Sequence, residues 1–211
     1  MTPLTQKSLA VAARELAARD EMLAGIHATY GDPPLWRRAT GFTTLVHIIL
    51  EQQVSLKSAK SMLVRLEAAI QPFTPERILE LGGARLRALG VTRQKSAYLL
   101  DLSASIVKGQ LDFTKLTRMS DDDVRLLLTK IKGIGSWSAD VYLLMAMRRS
   151  DIWPAGDLAL AVAMKELMGL AARPGPVELE RWAEQWRPHR AVAARMLWQY
   201  YLGTRNSRAK S

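Results

Sequence analysis

Apolar residues along the chain recur at intervals of three and four positions, the spacing that places them on one face of an α-helix. Phe42, Leu45, Val46, Ile49 and Leu50 show the pattern most clearly. Strand-like alternation bounded by turn dipeptides is scarce. The pattern therefore predicts an all-α fold of about eight to ten helices of ordinary length.

Glycine and proline residues interrupt the helical pattern and mark the predicted helix ends. These breaks lie at residues 31–34, 71–72, 82–83, 90, 109, 132–136, 153–156, 173–176 and 188. The first break is predicted to end a single N-terminal helix. No repeat at a fixed period and no low-complexity segment is present.

Composition limits the classes of protein and of partner. The 211 residues suffice for one substantial core or for two small lobes that share a cleft. Lys and Arg number 30 against 20 Asp and Glu, a formal charge of +10, which favours a polyanionic partner such as nucleic acid or an anionic membrane. The alternative is a basic surface without a specific role.

The absence of cysteine excludes disulfides, thiol nucleophiles, zinc sites with Cys ligands and iron–sulfur clusters held by Cys. No run reaches the roughly 20 apolar residues that a membrane-spanning helix needs. We therefore expect a cytoplasmic protein, associated with the nucleoid if it is bacterial.

Two predicted helices flank a glycine-containing turn. Ser120, followed by three aspartates, begins a helix over 124–131, and a second helix follows over about 137–147. Between them, Gly133 and Gly135 permit left-handed backbone angles and the close approach of another molecule. The first turn of the second helix leaves N–H groups that can bind a phosphate, although a simple tight turn is the alternative.

A third signal follows 20 residues after Trp137. Trp153-Pro154-Ala155-Gly156-Asp157 precedes an apolar helix predicted over 158–168. Aspartate is a favoured residue at a helix N-cap, so Asp157 is expected to cap this helix whether or not it has a second role.

The pattern Leu128-x-x-Ile131-Lys132-Gly133-Ile134-Gly135-x-Trp137-x-Ala139, with Asp157 downstream, resembles the helix-hairpin-helix DNA glycosylase superfamily. Lys132 stands where many members have proline. Members that also nick the strand carry a lysine at the position of Trp137, and an aromatic residue there resembles the 3-methyladenine DNA glycosylase II branch.

The resemblance implies two helical lobes and a DNA substrate. Residues 39–149 would form the central lobe, residues 1–38 and 150–211 the second lobe, and a cleft between them would hold the active site. It implies Asp157 as the catalytic carboxylate. The predicted base pocket consists of Trp137, Tyr142, Trp198 and His189, where His189 replaces an aromatic residue that usually follows the proline.

The same resemblance implies contacts with the DNA duplex. Gln53 would wedge into the duplex, with Gln52 and Ser55 as its support. The other predicted DNA-binding residues are Lys132, Gly133, Gly135 and Lys95. No cofactor is expected to be required, but the main-chain carbonyls of Thr129, Ile131 and Ile134 would hold a structural Na⁺ or K⁺ ion at the hairpin.

The implied function is a monomeric, monofunctional glycosylase that flips an alkylated purine out of double-stranded DNA and hydrolyses its glycosidic bond. Without a lysine at position 137, water would be the nucleophile and an abasic site the product. Two alternatives remain open. One is a glycosylase of the same fold for other damaged or mismatched bases, and the other is a non-catalytic module that uses the hairpin to bind DNA.

Overall fold

The computed structural model describes residues 2–208, and within them helices are the only regular secondary structure, which confirms the predicted all-α fold. Residue 1 and residues 209–211 of the predicted second lobe lie outside the described part. The helices are α1 Gln6–Arg19, α2 Glu21–Tyr30, α3 Phe42–Glu51, α4 Leu56–Ala69, α5 Pro75–Ala88, α6 Arg93–Val107, α7 Phe113–Leu116, α8 Asp121–Thr129, α9 Ser136–Met145, α10 Leu158–Leu167, α11 Pro176–Ala183 and α12 Arg190–Arg208. A 3₁₀ turn, Glu184–Trp186, follows α11. Over these described residues, no helix has the length and apolar character to cross a bilayer.

The chain folds as two units. Unit 1 consists of Met1–Arg37 and Leu143–Ser211, and unit 2 consists of Arg38–Tyr142. Residues 143–149 were predicted to lie in the central lobe and residue 38 in the second lobe, whereas residues 143–149 belong to unit 1 and Arg38 belongs to unit 2. Hydrogen bonds within unit 1 give the reason: Arg195 donates to the Leu144 carbonyl at 2.7 Å, and the Leu4 N–H donates to the Arg148 carbonyl at 2.8 Å.

The N-terminal segment forms two helices rather than the single helix that the sequence predicts. The break lies at Asp20, where no glycine or proline marks it. The Asp20 side chain accepts the Leu23 N–H at 3.0 Å and so caps α2, and its other oxygen accepts the Trp186 indole N–H at 2.7 Å. A cap and a distant partner therefore fix a boundary that local breaker residues do not reveal.

The core of unit 1 surrounds the first half of α12, where every residue from 191 to 198 is buried. Arg195 lies within this apolar stretch with no exposed surface. Its guanidinium donates to the carbonyls of Leu35, Ala191 and Leu144 at 3.1, 2.9 and 2.7 Å. Desolvation by burial lowers the pKa of Arg195 to about 9. These three bonds tie the irregular segment before α3 and the end of α9 to α12.

Unit 2 is built around α3, whose residues from 44 to 51 are all buried except His47. Helices α4 and α6 pack against it, and α5 packs against α6. The predicted interruption at residues 82–83 is a kink inside α5, where Gly82 has a φ of 72°. The positive φ requires the glycine, and the non-helical backbone at Gly82 interrupts the helix at the predicted position.

Candidate functional site

Asp157 is the N-cap of α10, as its position before an apolar helix predicts. Its Oδ1 accepts the Leu160 N–H at 3.0 Å and the Trp198 indole N–H at 3.1 Å. The residue is buried, with 8% of its surface exposed. The carboxylate therefore lies at the positive end of the α10 dipole, in an orientation that two donors fix.

Asp157 borders open space within unit 1. It lines a pocket of about 310 Å³ together with small and apolar residues of the α10 start and the segment that leads to α11. Arg173 adds a positive charge to the same lining. The residue is thus buried in the wall of an open pocket rather than enclosed in the core.

Trp198, one of the predicted base-pocket residues, contacts Asp157 through the hydrogen bond that its indole N–H donates. It extends from α12 and is 7% exposed. The Trp36 ring lies beside it, with ring centroids 6.3 Å apart and planes at 65°. The sequence analysis missed Trp36 because the residue lies in an irregular segment, where helical periodicity carries no information.

His189, another predicted base-pocket residue, contacts the first helix of unit 1. Its Nε2 lies 3.1 Å from the Glu15 carboxylate of α1. His189 and Glu15 line a second pocket of about 340 Å³ with residues from the start of α1. Asp157 does not line this pocket, so the structure associates the two predicted residues with different pockets of unit 1.

Tyr142, also predicted for the base pocket, lies in the core of unit 2. It is 1% exposed, and its hydroxyl accepts the Gly41 N–H at 3.1 Å. Burial raises the pKa of Tyr142 to about 12. A ring with so little exposed surface offers no open face to a nucleobase, and its position is that of a packing residue that holds the start of α3.

The hairpin lies between α8 and α9, close to the predicted bounds. Ser120 caps α8 by accepting the Asp123 N–H at 3.1 Å. Gly133 has a φ of 87°, and a Cβ there would collide with the ring of Tyr98 on α6. Both the backbone angle and the close approach therefore require glycine at this position.

A second contact holds the hairpin on α6. The Asp101 carboxylate accepts the Lys132 N–H at 2.8 Å. Tyr98 and Asp101 lie three residues apart and so share one face of the helix. Their role was missed because it depends on a contact between segments about thirty residues apart.

Part of the hairpin faces solvent, while Ile131 and Ile134 are buried. Lys132, Gly135 and Ser136 are exposed, and nothing lies within 4 Å of a Cβ built at Gly135. Trp137 is half-buried in the first turn of α9. An exposed turn that leads into a helix N-terminus leaves its backbone accessible to a phosphate.

The predicted wedge segment follows α3, and one of its glutamines bonds to the hairpin. The Gln52 side chain donates to the Gly133 carbonyl at 2.8 Å and to the Ser138 hydroxyl at 3.0 Å. Gln53 is exposed and has a φ of 58°, and Ser55 caps α4 by accepting the Ser58 N–H at 3.2 Å. Within unit 2, the structure thus brings the predicted wedge segment and the hairpin together.

Lys95 supports the wedge segment from α6. Its ammonium donates to the carbonyls of Leu50 and Gln52 at 2.7 and 2.8 Å. Burial lowers the pKa of Lys95. Lys95 is one of the predicted DNA-binding residues, and in the structure two of its three N–H donors bond to the end of α3.

The predicted cation site involves main-chain carbonyls of the hairpin. The Ile131 carbonyl already accepts the Ile134 N–H at 3.0 Å, which leaves it one lone pair for another ligand. The carbonyls of Thr129 and Ile134 belong to the same turn. Among the residues that the structure describes, no cluster of three or more His, Asp or Glu side chains could hold a metal ion.

Several known proteins are similar to this chain in sequence and in structure. DNA-3-methyladenine glycosylase 1 of Schizosaccharomyces pombe is 27% identical over 162 residues, which cover 75% of this chain and 71% of that protein. A solved structure of an S. pombe 3-methyladenine DNA glycosylase in complex with abasic DNA has a TM-score of 0.82 and 25% identity, and the alignment covers 89% of this chain and 95% of that one. The DNA-3-methyladenine glycosidase of Bacillus halodurans has a TM-score of 0.76 and 29% identity, with 95% and 93% coverage.

The chain spans 64% and 60% of the length of two further curated relatives that it matches. The family model described as "HhH-GPD superfamily base excision DNA repair protein" matches residues 46–189. This range covers more than half of the 211 residues and includes the wedge segment, the hairpin and Asp157. The chain therefore belongs to the HhH-GPD superfamily of base excision DNA repair proteins.

Proposed function

We propose that the protein is a monofunctional DNA glycosylase that hydrolyses the N-glycosidic bond of alkylated purines in double-stranded DNA, acting as a monomer. The observation that carries the proposal is the Asp157 carboxylate, held by Leu160 and Trp198 at the edge of an open pocket. The relatives named as 3-methyladenine glycosylases support the substrate class.

Asp157 would act on the charge that develops as the bond breaks. Departure of the base withdraws the bonding electron pair and leaves positive charge on the deoxyribose ring. A fixed carboxylate next to that ring stabilises the charge without any reorganisation at the moment of reaction. The same carboxylate can orient a water molecule and accept its proton, so that hydroxide adds to C1′ and an abasic site results.

Trp137 explains why strand cleavage is not part of the proposal. An enzyme that also nicks DNA needs an amine to form a Schiff base with the sugar. The first turn of α9 carries an indole at this position. Water is therefore the nucleophile that we propose.

The substrate class follows from the chemistry of alkylation and from the aromatic side chains. N-alkylation places a positive charge on the purine, which makes the base a good leaving group and reduces the need for a general acid. Indole faces attract such a cation by roughly 0.5–2 kcal/mol for each contact. Trp198, whose indole N–H donates to Asp157, is the predicted pocket residue of unit 1 that offers such a ring.

Unit 2 supplies the elements that would hold the duplex. The exposed hairpin residues Lys132, Gly135 and Ser136 would bind backbone phosphate, and the exposed Gln53 would fill the space that the flipped nucleotide leaves. Gln52 joins these two elements through its bonds to Gly133 and Ser138. The same unit would therefore set both the phosphate contact and the wedge.

Base release tests the proposal directly. Duplexes with a single 3-methyladenine, 7-methylguanine, 1,N6-ethenoadenine or oxidised purine are incubated with the protein, and both free base and strand breaks are measured. We expect free base and abasic sites that break only in hot alkali, and no covalent adduct after borohydride reduction. Release of an oxidised base alone would identify a different glycosylase, and release of no base would identify a binding module.

A further inference from the structure

Trp36 has an unusual backbone conformation for its residue type. Its φ is 43°, in the left-handed region that large side chains rarely adopt. Holding such a residue there costs roughly 1–3 kcal/mol, and strain of this kind concentrates at functional sites. A glycine or asparagine would make the same turn at lower cost, so the turn alone does not account for the indole.

Three hydrogen bonds fix the segment in front of Trp36. Gln6 on α1 donates to the Pro33 carbonyl at 3.1 Å and accepts the Leu35 N–H at 3.2 Å. The buried Arg195 donates to the Leu35 carbonyl at 3.1 Å. Both polar backbone groups of Leu35 are therefore held, and the direction in which Trp36 leaves the backbone is set by α1 and α12.

The Trp36 ring contacts the tryptophan that donates a hydrogen bond to Asp157. It lies edge to face with Trp198, whose indole N–H donates to Asp157. Trp36 is partly exposed, whereas Trp198 is 7% exposed. Of these two rings, Trp36 thus retains the larger surface for contact with another molecule.

We propose that Trp36 is a specificity-determining residue whose indole contacts the extruded purine and favours bases that carry a positive charge. This inference rests on the proposed function. Trp198 supports the Trp36 ring and holds Asp157 at the same time, so the site that binds the base is coupled to the site that stabilises the sugar. The electron-rich face of an indole attracts a cationic purine more strongly than a neutral one.

The experiment compares excision of a cationic and a neutral purine by four proteins under single-turnover conditions. The substrates are duplexes with one 7-methylguanine or one hypoxanthine. The proteins are the wild type, Trp36→Leu, Trp36→Phe and Trp182→Leu. Trp182 is a matched control because it is also a partly exposed tryptophan of unit 1, on α11. Thermal unfolding and circular dichroism report whether each variant folds.

We expect Trp36→Leu to lower the ratio of the 7-methylguanine rate to the hypoxanthine rate by about 2- to 30-fold. Trp36→Phe should lower it less, and Trp182→Leu should leave it unchanged. An unchanged ratio in a folded Trp36→Leu protein overturns the inference while the proposed function stands. If Trp36→Leu does not fold, Trp36→Phe takes its place: a lowered ratio supports the inference and an unchanged ratio overturns it. A wild type that releases neither base overturns the proposed function and the inference with it.

Discussion

Replacing Trp198 by phenylalanine removes one hydrogen bond to the proposed catalytic carboxylate and keeps an aromatic ring in place. The lost bond is the one from the indole N–H to Asp157 Oδ1, at 3.1 Å between two buried side chains. The Leu160 N–H remains to cap the carboxylate at 3.0 Å. The variant should therefore fold, with Asp157 less firmly oriented.

The size of the effect follows from the charge on the acceptor. A hydrogen bond to a charged group contributes about 1.5–3 kcal/mol, and a rate falls tenfold for each 1.36 kcal/mol added to the barrier. If the whole bond serves to orient Asp157 in the transition state, base release should slow by about 10- to 150-fold. Binding of abasic DNA should change little because the hydrogen bond between Trp198 and Asp157 is not one of the proposed phosphate contacts.

Single-turnover excision of 7-methylguanine measures this rate, and Trp186→Phe provides a matched control. Trp186 is also a buried tryptophan of unit 1, and its indole N–H also donates to a carboxylate, that of Asp20, at 2.7 Å. Its loss should lower the midpoint of thermal unfolding without a specific fall in the excision rate. Wild-type excision by a folded Trp198→Phe protein would refute the orienting role of this bond.

The remaining predictions concern unit 2. Gly133→Ala should destabilise the protein by about 2 kcal/mol or more because the positive φ and the Tyr98 ring exclude a Cβ. Gly135 has open space around it, so Gly135→Ala should cost less than about 1 kcal/mol. Urea denaturation measures the difference between the two variants. Lys95→Met should lower the free energy of unfolding by about 1–3 kcal/mol because two hydrogen bonds are lost. Lys132 is exposed, so Lys132→Met should leave stability unchanged and weaken DNA binding at low salt. Equal stability of the two variants would contradict a structural role for Lys95. Burial lowers the pKa of His47 below its ordinary value of 6.5, with Glu51 and Arg38 nearby. Between 6.5 and that lowered pKa the unfolded chain binds the proton and the folded chain does not, so the free energy of unfolding should fall as pH falls through this window. Denaturation of His47→Leu at several pH values should show a weaker dependence, and an unchanged slope would exclude His47 as the cause.

The sequence predicts the parts of the molecule that depend on local physics. The apolar spacing around Leu45 and Ile49 identifies α3 because its buried face repeats with the helical period. Gly133 marks the hairpin because its backbone angle needs glycine, and Asp157 marks the start of α10 because aspartate caps helices. These signals are each contained within a few residues of chain.

The features that the sequence does not predict depend on partners distant in the chain. Asp20 ends α1 through its own cap and a bond to Trp186, 166 residues away. From sequence alone Arg195 would be expected on the surface of its helix, but in the structure its guanidinium donates to the Leu35 and Leu144 carbonyls in the core. Trp36 has no periodic context, and only its contact with Trp198 associates it with Asp157.

The central claim is that the Asp157 carboxylate performs the chemistry, and Asp157→Asn tests it most directly because the amide keeps the size and the capping oxygen but loses the charge. The decisive measurement is release of 7-methylguanine by the wild type and by this variant, alongside binding of abasic duplex DNA. We expect base release by the wild type, loss of nearly all release in Asp157→Asn, and nearly unchanged binding of abasic DNA. Release at the wild-type rate by the folded variant would contradict it.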